Sequence, residues 1–234
     1  MKKIVFGDVH GCYRELKELY NNLVAEGTLN PSEDQVIFLG DYIDRGPDSR
    51  LVVQFIRELQ KNNENVIALM GNHEDMMLEF LCGYDTDSWE CNGARMTVES
   101  YRDHAEEFLE DALWMEKLPL YHEDEHFIYV HAGVDASVPM DAQDRDTMLW
   151  IREPFILSRS NTEKKVIFGH TPTAYLNGGT APVITANGTI DIDTGCVYAG
   201  RLTALVIEDD EIRTYVQIDK NLVIIKVDIR QDAA

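Results

Sequence analysis

The chain has 234 residues and a mass of 26.7 kDa, which is long enough to bury a sizeable core. Hydrophobic residues make up 44% and charged residues 27%, which disfavours disordered, collagen-like and membrane classes. The 21 basic and 42 acidic residues give a formal charge of −21, which disfavours binding to nucleic acid or to an anionic membrane. The four cysteines do not make a disulfide framework in a chain of this size, and none of them form a C-x-x-C pair. We therefore expect the thiols to be reduced. We therefore expect a cytoplasmic protein with neither nucleic-acid nor membrane partners.

Short apolar runs that precede clusters of glycine and polar residues recur along the first part of the chain. Three of them occur before residue 83, at 4–6, 36–39 and 66–69. Apolar residues spaced three and four apart follow these runs and predict helices from 13 to near Gly27, from Asp48 or Ser49 to 59, and over 75–81. Strands that alternate with helices predict an α/β fold.

The stretch 83–117 breaks this rhythm. It is polar and rich in Trp, Glu and Asp, and it contains one predicted helix near 97–109. We interpret it as a cap or lid inserted into a single domain that spans 1–234. Beyond it, apolar runs at 127–130 and 166–168 predict further strands, and the alternation from Gly188 onward predicts antiparallel strands.

Residues suited to metal binding follow five of the predicted strands. They are Asp8 and His10, Asp41 and Asp44, Asn72 and His73, His131, and His170. Carboxylate, imidazole and amide groups suit divalent ions such as Mn²⁺, Fe²⁺ and Zn²⁺. A single Asp-x-His pair arises often by chance, but five clusters at five strand ends predict one common site. In α/β sheets such sites lie beyond the carboxyl ends of the strands.

The order of these motifs resembles a known family. G-D-V-H-G, G-D-Y-I-D-R-G, G-N-H-E, H-A-G and G-H-T-P look like the metal-dependent phosphoprotein phosphatases within the calcineurin-like metallophosphoesterases. The small bacterial and bacteriophage serine/threonine phosphatases are the most similar branch, and the resemblance covers residues 3 to about 205. It implies a central β-sandwich flanked by helices, with a dinuclear metal site at the carboxyl ends of the strands.

The resemblance also implies a role for each motif residue. Two divalent ions are expected, with Mn²⁺ preferred over iron or zinc. One ion would be held by Asp8, His10 and Asp41 and the other by Asn72, His131 and His170, with Asp41 bridging. His73 would be the general acid, and Asp44 would orient it. Arg45 and Arg152 would hold the phosphate oxygens, which Asn72 would also touch.

The chemistry of phosphate esters fits this arrangement. A phosphate monoester is a dianion that repels hydroxide, and its uncatalysed hydrolysis is extremely slow. Two divalent ions attract the dianion and lower the pKa of bound water, so a hydroxide that bridges them can attack phosphorus directly. His73 would protonate the basic alkoxide that leaves, and the planar arginines suit paired phosphate oxygens.

Three functions are open at this point. We expect a serine/threonine phosphoprotein phosphatase, with phosphotyrosine as a further substrate, so its partners would be phosphoproteins or small phosphoesters. The enzyme alternative is a hydrolase of dinucleoside polyphosphates such as diadenosine tetraphosphate, which would need a cationic or aromatic pocket. The insert contains more acids than such pocket candidates, which favours the phosphatase; the candidates are Trp89, Arg95, Tyr101, Arg102 and Trp114. A non-catalytic metal-binding module is disfavoured because it would not need His73 or the two arginines.

Three further features are assigned structural roles. The segment 122–126 reads His-Glu-Asp-Glu-His and formally matches a zinc-protease motif, but it lies between two strand-like runs and predicts a polar turn. Asp193 is expected to accept a hydrogen bond beside the site. Cys196 is expected to be a buried thiol.

Overall fold

Two mixed β-sheets form the centre of the fold. They are seen in a computed structural model that describes residues 1–84, 87–158, 163–177, 179–185 and 187–229. The described strands are β1 (Lys3–Phe6), β2 (Gln35–Phe38), β3 (Val66–Ala68), β4 (Tyr121–Glu123), β5 (Phe127–Val130), β6 (Lys165–Phe168), β7 (Val183–Ile184), β8 (Ile190–Asp191), β9 (Arg201–Glu208), β10 (Glu211–Asp219) and β11 (Ile224–Asp228). The strand order is β11-β10-β9-β1-β2-β3 in the first sheet and β4-β5-β6-β8-β7 in the second.

The two sheets pack face to face around an apolar core. Side chains alternate along a strand, so Val5 packs between the sheets while Ile4 and Phe6 pack on the outer face. Both faces are buried, which explains why these runs are continuously apolar. The core between the sheets includes Val5, Ile37, Leu205 and Ile207 from the first sheet and Phe127, Tyr129, Ile167 and Ile190 from the second. The predicted β-sandwich is confirmed.

Helices cover the outer faces of both sheets. The described α-helices are α1 (Tyr13–Ala25), α2 (Ser49–Asn62), α3 (Asn72–Cys82), α4 (Asp87–Cys91), α5 (Ala94–Ser100), α6 (Ala105–Met115), α7 (Arg145–Trp150), α8 (Glu153–Ile156) and α9 (Ala174–Asn177). Leu16 of α1 packs in one cluster with Phe6 of the first sheet. Met148 of α7 and Phe155 of α8 pack with Phe168 of the second sheet. None of the helices in the described ranges combines the length and hydropathy that crossing a membrane requires.

Parallel strands bring the candidate site residues to one edge of the sandwich. Strands β1, β2 and β3 run parallel, as do β5, β6 and β8. Their carboxyl ends therefore lie at one edge of each sheet. The two edges meet where the backbone N–H of His170 donates to Asp8 Oδ2 at 3.0 Å.

The predicted single helix near 97–109 is wrong. The structure has two helices there, α5 and α6, because the chain turns at 101–104. Tyr101 ends α5, and its buried hydroxyl donates to Asp111 of α6 at 2.7 Å, which ties the two helices together across the turn.

Helix α3 begins at Asn72, three residues earlier than predicted, because Glu74 accepts the backbone N–H of Gly71 and caps the first turn.

The predicted polar turn forms at residues 124–126, whereas His122 and Glu123 belong to strand β4. Strand β4 pairs antiparallel with β5, and Asp124 accepts the backbone N–H groups of His126 and Phe127 between them. His122 lies on β4 and His126 in the turn, so the two imidazoles do not share a helix face. This geometry excludes the zinc-protease motif.

The insert, residues 83–117, packs against α2. Arg57 of α2 forms an ion pair with the buried Asp111 of α6, and Gln60 accepts the indole N–H of Trp114 at 2.9 Å. These contacts hold the insert on the scaffold. Its action as a lid stays a prediction.

Truncating a side chain between the sheets should cost far more stability than the same truncation at the surface. Ile167 is fully buried, so Ile167→Ala should lower the free energy of unfolding by about 2–5 kcal/mol. Ile184 of β7 is 69% exposed, and Ile184→Ala should change that energy by less than about 0.5 kcal/mol. Urea unfolding followed by circular dichroism measures both variants. Equal effects would contradict the placement of Ile167 in the core.

Candidate metal centre and active site

The loops after the parallel strands bring the predicted site residues together. Asp8 and His10 follow β1, Asp41, Asp44 and Arg45 follow β2, Asn72 and His73 begin α3, His131 follows β5, and His170 follows β6. All of them except Arg45 are buried, and Arg45 is half-buried. Proteins tolerate so many buried polar groups only when the groups are paired or bind metal ions.

Asp41 stands between two groups of imidazoles. Its Oδ2 lies 3.3 Å from His10 Nε2 and 3.9 Å from His73 Nε2, and its Oδ1 lies 3.4 Å from His131 Nε2. Within the described residues, two groups of three offer ligand atoms that all lie within 4.8 Å of one another. The groups are His10, Asp41 and His73, and Asp41, His131 and His170. Because Asp41 belongs to both groups, its carboxylate can bridge two ions.

The orientation of two imidazoles fits metal binding. The Nδ1 atoms of His10 and His131 lie 2.9 and 3.0 Å from the carbonyl oxygens of Ile43 and Leu39, so each Nδ1 carries a proton and donates. Each Nε2 then holds a lone pair that faces an oxygen of Asp41. His10 Nε2 also accepts from Arg45, whereas His131 Nε2 lies 2.8 Å from a second acceptor, Asn72 Oδ1. Buried acceptors that face acceptors are unfavourable without a cation between them. The donor set around Asp41 therefore fits two divalent ions.

Asn72 and Asp8 extend the donor set. Asn72 Oδ1 lies 2.8 Å from His131 Nε2 and 2.9 Å from His170 Nδ1. Asp8 belongs to neither compact group, but its Oδ1 is buried and has no hydrogen-bond partner among the residues that the structure describes. Gly169 makes room for this oxygen, since a Cβ at residue 169 would clash with it. A buried carboxylate oxygen without a partner is costly, and metal coordination would satisfy it.

Burial and neighbouring charges set the protonation of these groups. Burial lowers the pKa of His10, His131 and His170, which keeps the imidazoles neutral and able to bind a cation. Burial opposes ionisation of Asp41 too, but the positive charge that the surrounding imidazoles carry when protonated outweighs it and lowers the pKa of its carboxyl group. Burial and neighbouring carboxylates raise the pKa of Asp8 well above its usual value. Divalent cations would relieve this repulsion.

Five residues of the centre have left-handed backbone conformations. The φ angles are 44° at His10, 54° at Asp41, 71° at Asp44, 67° at Arg45 and 65° at His170. Residues other than glycine pay about 1–3 kcal/mol each for a strained backbone, and such residues cluster at functional sites. The concentration of strain here supports a functional role for this edge of the sandwich.

The structure pairs His73 with Asp44. His73 Nδ1 lies 2.6 Å from Asp44 Oδ2, and both side chains are buried. The insert holds the carboxylate in place, because Trp89 Nε1 donates to Asp44 Oδ2 at 2.9 Å and Thr97 Oγ1 donates to Oδ1 at 2.6 Å. Sequence reasoning missed these two donors because no motif marks them and they lie 45 and 53 residues away along the chain. The role of His73 as general acid stays a prediction.

Glu74 organises the loop that carries Asp41. Its carboxylate accepts the backbone N–H groups of Gly71, Asp41 and Tyr42 at 3.0, 2.9 and 2.8 Å. Burial raises the pKa of Glu74 to about 8, the charge of Asp41 adds to the rise, and the backbone donors lower it. Sequence reasoning placed Glu74 in the G-N-H-E motif without giving it a role, and that motif was the available signal.

Two arginines border the centre. Arg45 Nη1 lies 2.5 Å from His10 Nε2 and donates to it. Arg152 Nη1 donates to the carbonyl oxygen of His170 and to Thr171 Oγ1, both at 3.2 Å. The two guanidinium groups therefore supply positive charge beside both groups of imidazoles. In a chain with a net charge of −21, they give this edge a local attraction for anions.

Asp193 and Cys196 lie as predicted. Asp193 is buried, and its Oδ1 accepts the backbone N–H of Gly195 at 3.0 Å. The thiol of Cys196 is buried as well.

Residues 1–216 match the family model described as calcineurin-like phosphoesterase. The chain belongs to this family. Calcineurin-like phosphoesterases use a dinuclear divalent metal site, and the two ligand groups that share Asp41 fit such a site.

Two curated relatives of this calcineurin-like phosphoesterase share one name, bis(5'-nucleosyl)-tetraphosphatase PrpE [asymmetrical]. The protein from Oceanobacillus iheyensis is 31% identical over 233 residues, which cover 87% of this chain and 88% of that protein. The protein from Bacillus cereus strain ATCC 10987 is 26% identical over 231 residues, which cover 88% and 90%.

Solved structures share the fold. One is described as "a putative diadenosine tetraphosphatase"; the match covers 98% of this chain and 94% of that chain, with a TM-score of 0.66 and 20% identity. A protein serine/threonine phosphatase from Saccharomyces cerevisiae matches over 100% of this chain and 81% of that chain, with a TM-score of 0.59 and 18% identity. At these identities the structures show the fold alone.

The prediction that this protein is a phosphoprotein phosphatase is wrong. The relatives at 31% and 26% identity are named as tetraphosphatases, whereas the yeast phosphatase structure supports only the fold. The physical reason is that the motifs predict metal ligands, a proton donor and phosphate contacts, which hydrolysis of either substrate can use. The motifs therefore identify the family correctly and leave the substrate undetermined.

Removing the bridging charge should empty the metal centre. Asp41→Asn replaces the carboxylate between the two ligand groups with a neutral amide, so bound metal should fall from about two ions per chain to less than one. Turnover should be abolished. Asp34→Asn is the matched control, because Asp34 is also buried but accepts the backbone N–H groups of Lys2 and Asn30 instead. Plasma mass spectrometry after gel filtration measures the metal, and an unchanged content in Asp41→Asn would refute the bridge.

Removing one donor to Asp44 should slow catalysis without removing metal. Trp89→Phe keeps the ring but loses the indole N–H bonded to the buried carboxylate, a hydrogen bond worth about 1.5–3 kcal/mol. Because Thr97 remains as a donor, we expect kcat to fall at the lower end of that range, by about tenfold. Trp114→Phe is the control, since its indole N–H donates to Gln60 on α2. If both variants keep full kcat, the insert does not support the His73–Asp44 pair.

Proposed function

We propose that this protein is a metal-dependent hydrolase of bis(5'-nucleosyl) tetraphosphates. It cleaves them asymmetrically, releasing a nucleoside triphosphate and a nucleoside monophosphate. The observation that carries the proposal is the convergence of two ligand groups on Asp41, with Arg45 beside one group and Arg152 beside the other. This arrangement suits hydrolysis of a phosphoric anhydride. The name of the two curated relatives supports the substrate class and the asymmetry.

Residues of this chain would hold two divalent ions in overlapping sets. The first set is Asp8, His10 and Asp41, and the second is Asp41, Asn72, His131 and His170. When bound, such ions polarise phosphoryl oxygens and lower the pKa of coordinated water. The nitrogen and oxygen donors suit Mn²⁺, our preferred ion, as well as iron and zinc.

Arg45 and Arg152 would bind oxygens of the phosphate that is attacked. Both guanidinium groups are half-buried, which strengthens their interaction with an anion relative to full exposure. Each planar group can donate two parallel hydrogen bonds to phosphate oxygens. The side-chain amide of Asn72, between His131 and His170, would contact the same phosphate.

His73 would donate a proton to the oxygen that leaves. Asp44 orients the imidazole, and Trp89 and Thr97 keep Asp44 in position. The leaving group of an anhydride is a phosphate oxygen, which is much less basic than an alkoxide. The demand on His73 is therefore smaller for a tetraphosphate than for an alkyl phosphate.

Product analysis tests the proposed function. The purified protein with Mn²⁺ is incubated with diadenosine tetraphosphate and, separately, with a phosphoserine peptide. We expect equimolar ATP and AMP, and a kcat/KM for the peptide that is lower by at least about 100-fold, which corresponds to 2.7 kcal/mol. Two molecules of ADP would refute asymmetric cleavage. Turnover of the peptide without turnover of the nucleotide would refute the substrate class.

The leaving group should decide how much His73 contributes. His73→Asn should lower kcat on an alkyl phosphate by about 10²–10⁴, the usual contribution of a general acid. The loss on diadenosine tetraphosphate should be smaller, because its leaving group needs less protonation. Metal content should stay near that of the wild type. Equal losses on both substrates would show that His73 binds metal or phosphate and does not act as the proton donor.

A further inference from the structure

Exposed aromatic side chains lie beside the metal centre. Tyr198 is 57% exposed, and the Arg45 guanidinium carbon lies over its ring, 5.4 Å from the centroid. On the other side of the centre, Trp150 meets the ring of His170 edge-on, with centroids 5.9 Å apart.

The loop that carries Tyr198 is held firmly although its side chain faces solvent. The backbone N–H groups of Tyr198 and Gly200 both donate to the carbonyl oxygen of Gly195 at 2.9 Å. Gly195 in turn donates to Asp193 of the centre at 3.0 Å. A large aromatic ring on a fixed loop, exposed beside a catalytic centre, contributes little to the core. Such a position suits contact with a ligand.

Three aromatic residues of the insert are engaged elsewhere. Trp89 is buried against Asp44, Tyr101 is buried and bonded to Asp111, and the indole of Trp114 donates to Gln60. Trp89 and Tyr101 therefore cannot offer a ring face to a substrate, and its bond to Gln60 directs the Trp114 indole toward α2. Tyr84 of the insert is exposed, but it follows the end of α3 that is opposite Asn72. The aromatic contact for a nucleotide substrate is therefore expected outside the insert, where Tyr198 has ring surface exposed to solvent.

We propose that the ring of Tyr198 is the stacking surface for a nucleobase of the dinucleoside tetraphosphate. This inference rests on the proposed function. Arg45 links the two parts of the contact, since it lies against both His10 of the metal centre and the ring of Tyr198. A phosphate held by Arg45 places the attached nucleoside within reach of that ring. With Arg45 over one face of the ring, the base stacks on the other face.

The inference predicts a loss that depends on the base. Stacking of a base on an aromatic side chain stabilises the bound substrate. Removing the aromatic side chain should therefore raise KM by about 5- to 150-fold. Tyr198→Ala should therefore raise KM for diadenosine tetraphosphate by that factor and change kcat by less than about threefold. Tyr198→Phe keeps the ring and should behave as the wild type.

A ligand without a base separates stacking from support of Arg45. Inorganic tripolyphosphate serves as the competitive inhibitor, and its Ki should stay within about twofold of the wild-type value in Tyr198→Ala, because it has no base to stack. Tyr84→Ala is the matched control, since Tyr84 is 86% exposed and follows the end of α3, about 16 Å along that helix from Asn72. This control should leave both KM and Ki unchanged.

The outcomes are distinguishable. An unchanged KM in Tyr198→Ala overturns the stacking surface. A parallel rise of KM and Ki also overturns it and assigns Tyr198 to holding Arg45 in place. Both results leave the proposed function intact, because the wild type still converts the tetraphosphate to ATP and AMP. Failure of the wild type to hydrolyse the tetraphosphate refutes the proposed function, and the stacking inference falls with it.

Discussion

The lone pairs that converge on Asp41 are the constraint on which the rest of the centre depends. His10 and His131 donate through Nδ1 to the carbonyl oxygens of Ile43 and Leu39, so their Nε2 atoms can only accept. Both face the carboxylate of Asp41, which also can only accept. In a buried site this arrangement is unfavourable without positive charge, which the Arg45 guanidinium supplies beside His10 and which bound metal ions would supply to both groups. Because the backbone after β2 fixes both imidazoles, the fold itself imposes the geometry that metal ions would satisfy.

Such a centre requires a rigid scaffold. Left-handed conformations at residues such as His10, Asp41 and His170 each cost about 1–3 kcal/mol, and the buried acceptors add to that cost. The scaffold offsets it in two ways. The sandwich buries both faces of its strands, and Glu74 accepts several backbone N–H groups of the loop that carries Asp41. The insert adds a third support, because Trp89 bonds the carboxylate of Asp44.

The parts predicted from sequence are those in which local pattern and tertiary structure agree. Continuous apolar runs predicted the central strands because the strands are buried on both faces, and glycine-rich motifs after them marked the metal ligands. The turn at 101–104 was missed because a contact across that turn, from Tyr101 to Asp111, determines it. Trp89 and Thr97 were missed because they reach Asp44 only after the insert folds back over the site. No local pattern records such contacts.

The substrate was mispredicted for a related reason. The motif residues are predicted to contact the phosphate and the metal ions, and those contacts would be the same for a phosphoprotein and for a dinucleoside tetraphosphate. Selectivity must then come from residues that contact the rest of the substrate, at the rim of the centre. The acidic insert argued against a polyphosphate only while its aromatic residues were counted as the available pocket. Trp89 and Tyr101 are buried in structural contacts, whereas Tyr198, outside the insert, is exposed beside Arg45. The base would therefore contact a surface outside the insert, and the acidity of the insert is no argument against a polyphosphate substrate. An anionic phosphate at this edge would respond mainly to the local charge of Arg45 and Arg152, because the attraction of nearby charges at a half-buried site exceeds the screened repulsion from a net charge of −21.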